Sequence, residues 1–382
     1  MPRVLARVTR RDRPALAPFP ESAGDQLIVD LPWRARAVLE AARAGFALVD
    51  VEGDAPVPAD AVALVDDAAL FSAETLTALV DAAREGPLRA AVARVTALFA
   101  RMSPFAPGRA PTSEGDLPFA LVAGPQGSLT RAHLDDGALP LRAICDDDGV
   151  RRESCAPLGP APCEIAIPDV ARVGGTLAHW LHVLEANLAF LHTLRRRAGA
   201  LGALNVREPK AKVHGHALVE GTILGAGCEI EAGASVIDSF IGPGVKIAAH
   251  SVVVGSVIGE GCHTLIDTHL RRVVAFPGST LSNVGTSDAL FGRDMFITTG
   301  VQFFSGEPGR TVVVDGVDTG RASLSGAVGH KAILGARALF AAGVSVPSGS
   351  VIVMRPDEGV TKLDDAGLAR ASMMRGDLSR DH

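Results

Sequence analysis

Histidine and arginine carry most of the chemistry this chain offers. An imidazole can take a proton from an attacking amine or hydroxyl near neutral pH, and a guanidinium can hold a phosphate. His269 stands beside Arg271 and Arg272, a base next to two phosphate contacts. His330 follows a polar excursion and opens a regular stretch at a corner, where its side chain can face a cleft between subunits. It is the first choice for a general base and His269 the second. His179 and His182 stand at i, i+3, but no Cys or Asp cluster accompanies them. A helix with partly exposed histidines is the better reading there than a metal pair. Cys145, Cys155, Cys163, Cys228 and Cys262 form no C-x-x-C pair. They read as reduced packing residues of a cytoplasmic protein.

What must position these residues is a repeat. From Val213 onward aliphatic residues recur at intervals of five, six and six: Val219, Leu224, Ile230, Val236, Ile241, Ile247, Val253, Ile258. Leu224, Ile241 and Ile258 are each followed by Gly and stand 17 residues apart. That spacing fits neither an amphipathic helix nor an alternating strand. It predicts triangular coils, in which each short flat strand supplies one inward aliphatic residue and Gly turns the corner. The expected fold is a parallel β-helix of hexapeptide type over 211–354, with a terminal tail over 355–382. Residues 269–285 break the period. A second excursion, Gln302 to Gly326, contains VVVDG and predicts a projecting hairpin. The period returns at Val328, Leu334, Phe340, Val346 and Val351.

Residues 1–170 read as an α/β unit. A helix over Ala35–Gly45 precedes a strand at 47–51, and a second strand at 61–65 runs into Asp66-Asp67 and a helix near Ala73–Glu85. Strands alternating with helices imply a parallel sheet with helices on its faces. Residues 171–210 are a linker whose helix, Gly175–Gly199, carries a broad apolar stripe including Leu177, Leu181, Leu184, Leu188 and Leu191. A formal charge of −6 and a pI near 6.0 argue against nucleic acid as a partner. No stretch approaches the roughly 18 apolar residues of a membrane span. The basic start, MPRVLARVTRRDRP, lacks the apolar core of a secretory signal.

An α/β unit, a linker helix and hexapeptide coils, in that order, resemble the sugar-1-phosphate nucleotidyltransferases. The likeness extends to the bifunctional N-acetylglucosamine-1-phosphate uridylyltransferase/glucosamine-1-phosphate acetyltransferases. It rests on ALVDDAALFSAETLTALVDAARE at 63–85, ALFGRDMFITTGVQFFSGEPGR at 289–310 and GHKAILGARALFAAGVSVPSGSVIV at 329–353. The resemblance implies a nucleotidyltransferase-like α/β domain followed by a left-handed parallel β-helix, assembled as a homotrimer. It implies Mg²⁺ on Asp66 or Asp67, and acetyl-CoA or another acyl-CoA along the closing coils near Gly329, Gly335 and Ala341. It places a sugar or sugar-nucleotide near Arg271, Arg272 and Asn283. Two features depart from the family. The region VLARVTRRDRPALAPFPESAGDQ holds a single Gly where a Gly-rich loop cradles the triphosphate, and Thr280 stands where the family's histidine base is expected. The first expectation is therefore acyl-CoA-dependent acyl transfer to a sugar or sugar-nucleotide. The alternatives are a catalytically silent scaffold and a sugar-1-phosphate nucleotidyltransferase.

Overall fold

The computed structural model describes residues 3–10, 14–92, 117–145, 150–155, 163–168, 172–282, 284–335 and 338–353. The N-terminal half is built on a mixed six-stranded sheet. Its strands are β1 (Arg3–Thr9), β2 (Phe46–Glu52), β3 (Ala61–Asp66), β4 (Leu88–Val92), β5 (Leu117–Ala123) and β6 (Leu141–Cys145), in the spatial order β2-β1-β3-β5-β4-β6. β1 lies between β2 and β3 and pairs in parallel with both, whereas β5 runs antiparallel to β3 and β4. Helix α1 (Trp33–Arg43) connects β1 to β2, and the chain then crosses to β3 on the other side of β1. Helix α2 (Ala73–Ala82) starts where Ser72 accepts the Thr75 N–H at 3.3 Å, a side-chain cap for an otherwise orphaned donor. The sheet is Rossmann-like on its β2-β1-β3 side but mixed overall, because β5 enters reversed.

The C-terminal half consists of short parallel strands in stacked ladders, consistent with a parallel β-helix. Leu224, Ile241 and Ile258 are register partners on successive rungs and fully buried. Ala275, Phe291, Val328 and Val346 continue that column. A second ladder stacks Ile230 on Ile247 and later Leu281, Ile297 and Leu334, and a third stacks Val219, Val236, Val253 and Leu270. Each inward aliphatic residue buried this way contributes about 1.5–3 kcal/mol. A hydroxyl ladder runs beside them. Thr222, Ser239 and Ser256 each donate to the carbonyl two residues back (2.8, 2.7 and 2.9 Å) and accept the N–H of the next rung (3.3, 3.1 and 3.0 Å).

The glycines after the column residues do not turn the corner by a left-handed conformation. A Cβ on Gly225, Gly242 or Gly259 would meet the backbone of the next rung at 2.6, 2.7 and 2.8 Å, so these positions need the absence of a side chain. The left-handed corner lies two residues further on, at Gly227, Gly244 and Gly261, and is taken over by Asp294 and Lys331 on later rungs. The period is not broken at 269–285 but shortened. Leu270 pairs with Thr286 and Leu281 with Ile297, a spacing of 16 instead of 17. The corner between Leu281 and Thr286 has lost one residue, and the ladders continue through it.

Helix α3 (Trp180–Ala198) joins the halves and is buried along most of its length, ending at Gly199 in the left-handed conformation that closes helices. It covers one side of the stack. The outward residues Val257, Val274, Leu290 and Ala327 are buried there, in one continuous core with the N-terminal sheet. Arg195 bonds the Gly221 carbonyl and Asp238, and Glu185 reaches Arg272, three rungs away. Ten helical residues rise about 15 Å and three rungs about 14 Å, so α3 runs along the stack axis. The excursion at 302–326 holds the expected hairpin, Val313–Val314 against Val317–Asp318. It does not project. Val312, Val314 and Leu324 are buried in that shared core, which folds the excursion back onto the linker helix.

Candidate functional site

In an open α/β sheet, ligands bind outside the carboxyl ends of the strands where the strand order reverses. Here that point lies between β1 and β3. Arg10, just past β1, donates from Nε to Asp66 Oδ2 at 2.9 Å and from Nη2 to Asp135 Oδ1 at 2.6 Å. Its pKa is raised, first by the hydrogen bond to Asp135 and also by the charge of Asp66, against the lowering by burial. Asp66 Oδ1 accepts the Ala68 N–H at 2.9 Å. Asp67 is buried beside it, with its N–H donated to the Val8 carbonyl at 3.1 Å. Within β1, Arg7 is buried and forks onto Asp50 of β2 at 2.6 and 3.0 Å, as the register Arg7↔Asp50 allows.

Magnesium binds through an octahedron of oxygens and keeps several waters. Asp66 already spends one oxygen on a backbone N–H and the other on a guanidinium. Among the described residues, no group of three or more His, Cys, Asp or Glu side chains converges as a metal site. As placed, Asp66 does not fit a Mg²⁺ site.

His330 lies at the seam between the halves. Its Nδ1 accepts the Arg293 N–H at 2.9 Å, and its Nε2 lies 2.8 Å from the Glu21 carboxylate oxygens. The ring sits beside Phe19 and Phe276, at centroid distances of 5.2 and 6.1 Å. Ser348 Oγ accepts the His330 N–H at 3.0 Å and donates to the Pro18 carbonyl at 2.8 Å. Both ring nitrogens are thus committed, and the side chain is only 7% exposed. A general base needs a lone pair within reach of substrate; this arrangement instead clasps residues 18–21 to the coils.

The remaining candidates are scattered. His269 is exposed on an uncovered face of the stack, between Val252 and Gly285 on the neighbouring rungs. Arg271 is partly exposed on the same strand. Arg272 turns into a corner at φ 53° and is buried, with Nε 2.7 Å from Asp288 and Nη2 3.6 Å from Glu185. Asn283 lies outside the described residues. The space a Cβ would fill at Gly329 is taken by Ser348, and at Gly335 by Val353 at 2.8 Å, while Ala341 is exposed. The two glycines answer to the next rung, which has no room for a side chain there.

Several residues that build these arrangements escaped the sequence: Asp135, Glu21 and Ser348, and the buried group Glu185, Asp288 and Arg321. Asp238, Arg272 and Asp288 did leave a signal. They recur in the left-handed corner slot that Gly221 and Gly255 occupy on other rungs, so a charged residue there has to be held by a partner. His179 caps α3, its Nδ1 accepting the Leu181 N–H at 3.2 Å and its Nε2 facing Asp315 at 3.2 Å. Burial lowers its pKa despite Asp315. His182 is buried, its Nδ1 accepting the Ala178 N–H at 3.0 Å. Burial raises the thiols of Cys228 and Cys262 to about 11 and about 12, so both behave as packing residues.

Among known proteins, no family model matches this chain and no curated protein matches it. No helix among the described residues is long and apolar enough to cross a membrane.

Proposed function

We propose that the protein is a cytoplasmic sugar nucleotidyltransferase-like chain with a left-handed hexapeptide β-helix, and that it serves as a catalytically silent scaffold or sensor for a sugar or sugar-nucleotide. One observation carries this reading: Arg10 bridges Asp66 and Asp135 at the strand ends where the family's metal would lie. The single glycine in the region after β1 supports it, because a triphosphate finds few close backbone amides there. The assembly is a homotrimer through the uncovered faces of the coils, where Phe296, Ile333 and Val351 form an exposed apolar column. Incubation with each nucleoside triphosphate and a panel of sugar-1-phosphates, with Mg²⁺, tests the reading. We expect no pyrophosphate release, together with calorimetric binding of a sugar-nucleotide that survives chelation. Pyrophosphate release would overturn it.

A second reading, acyl-CoA-dependent acyl transfer to a sugar, is favoured by the exposure of His269 on an uncovered face with Arg271 on the same strand. Thioester consumption with amino sugars checks it. Consumption that falls in His269→Ala but not in His330→Ala supports transfer on that face, and no consumption by the wild type removes it.

A further inference from the structure

β1 and β3 run side by side, with Val8 opposite Asp66 in the register. Arg10 follows β1 by one residue, so its side chain reaches across the end of β3. Asp135 comes from elsewhere, just past the short turn Arg131–Leu134. The two carboxylates, one buried and one exposed, meet at the guanidinium of Arg10, with contacts of 2.9 and 2.6 Å. Asp66 is held from its other side by the Ala68 N–H.

We infer that Arg10 is the resident cation of this crevice, holding Asp66 and Asp135 together and making the site independent of metal. The inference rests on taking the strand ends as the binding crevice, as above, and deepens that reading. A guanidinium stays charged at any physiological pH and fits carboxylates as a planar fork, so it holds both partners without dehydrating an ion. A ligand phosphate entering the crevice meets an arginine already shared by two carboxylates, whereas sugar hydroxyls find carboxylate lone pairs that accept from them.

Mn²⁺ is the probe, titrated into the full chain while the free ion is followed by electron paramagnetic resonance. The wild type is expected to hold no Mn²⁺ at this site. Arg10→Ala is expected to gain one site, about tenfold tighter or more than any wild-type binding, since the guanidinium that joins the two carboxylates is then gone. Adding Asp135→Asn to Arg10→Ala removes the gained site, and Arg10→Lys keeps it closed. Should the alanine variant unfold, Arg10→Gln retains a hydrogen-bond donor and is expected to gain the same site. Tight Mn²⁺ binding by the wild type, or none by a folded Arg10→Ala or Arg10→Gln variant, would overturn the inference. Pyrophosphate release by the wild type without Mn²⁺ binding would instead remove the silent reading and leave this one standing.

Discussion

The Nε2 atom of His330 lies 2.8 Å from both carboxylate oxygens of Glu21, across 309 residues of chain. Because Nδ1 accepts a backbone N–H, the proton sits on Nε2 and points at the carboxylate. The rings of Phe19 and Phe276 pack beside the imidazole, while Glu21 stays partly exposed. A polar pair with one buried member favours one docking of two surfaces, since an offset leaves the buried imidazole without its partner. The rigid union of α/β half and coils thus depends on the residue that sequence reasoning put forward as a base.

Removing that contact has a pH signature. Burial raises the Glu21 pKa, but the hydrogen bond from His330 and the nearby positive charge, Arg293 included, outweigh it, so the carboxyl lies below its ordinary range. A carboxyl with a lowered folded pKa adds stability above its unfolded value of about 4.3 and loses it as pH falls through the folded value. Glu21→Gln is expected to cost about 1–2 kcal/mol at neutral pH, the lower part of the range for charged hydrogen bonds, since Glu21 is partly exposed. Thermal melts from neutral to acid pH should show the two proteins converging below about pH 4. A gap that persists unchanged into acid would assign the loss to packing.

Two glycines two residues apart should behave differently. Gly242→Ala places a Cβ 2.7 Å from the Glu260 nitrogen, so the next rung must move. Gly244 is left-handed at φ 64° with open space around it, so Gly244→Ala meets only the conformational cost of about 1–2 kcal/mol. Urea unfolding should rank Gly242→Ala as the more damaging, alongside Ile241→Ala at about 2–5 kcal/mol. The reverse order would mean that rung spacing relaxes easily.

The repeat was legible because inward residues obey a strict spacing whatever surrounds the coils. Val219, Leu224, Ile230 and their successors show where the interior is, and the structure stacks them accordingly. What covers the outside is written in a different column. Val257, Val274 and Leu290 point outward and yet are aliphatic, whereas Lys246 and His263 on another face are not. That contrast marked the side that α3 buries, and reading only the inward positions missed it. The one-residue contraction before Thr286 looked like an excursion because a period search loses phase at a deletion, though the ladder does not. Glu21 with His330, and Arg10 with Asp135, left no periodic trace. Such pairs join segments whose separation reflects how two halves dock.

Arg272 tests the corner column. Arg272→Gly would relieve a left-handed residue, worth about 1–2 kcal/mol, and restore the glycine seen at Gly255. It would also leave Asp288 and Glu185 buried with one cation fewer, and breaking such a group costs about 3–5 kcal/mol. Net destabilisation is expected, visible as a lower denaturation midpoint. A more stable Arg272→Gly would show that Arg321 alone neutralises both carboxylates.

The outward column of the second ladder changes character along the stack. Lys212, Glu229, Lys246, His263 and Thr280 occupy its first rungs, with Lys212 and Lys246 both paired to Glu229. Phe296, Ile333 and Val351 follow, 47%, 40% and 62% exposed on successive rungs. Rungs are about 4.8 Å apart, so the three side chains form one strip about 10 Å tall. A second copy of the chain is its expected cover, because the separate strand pair Gln302–Phe303 and Leu339–Phe340 also exposes Leu339, with exposed Phe304 just past it, giving two apolar patches that a threefold ring can bring together. Ile333→Lys combined with Phe296→Lys should leave the fold intact and shift sedimentation from trimer to monomer, whereas Lys246→Ala should not. A wild type that sediments as a monomer at micromolar concentration would exclude self-association as the reason for the strip.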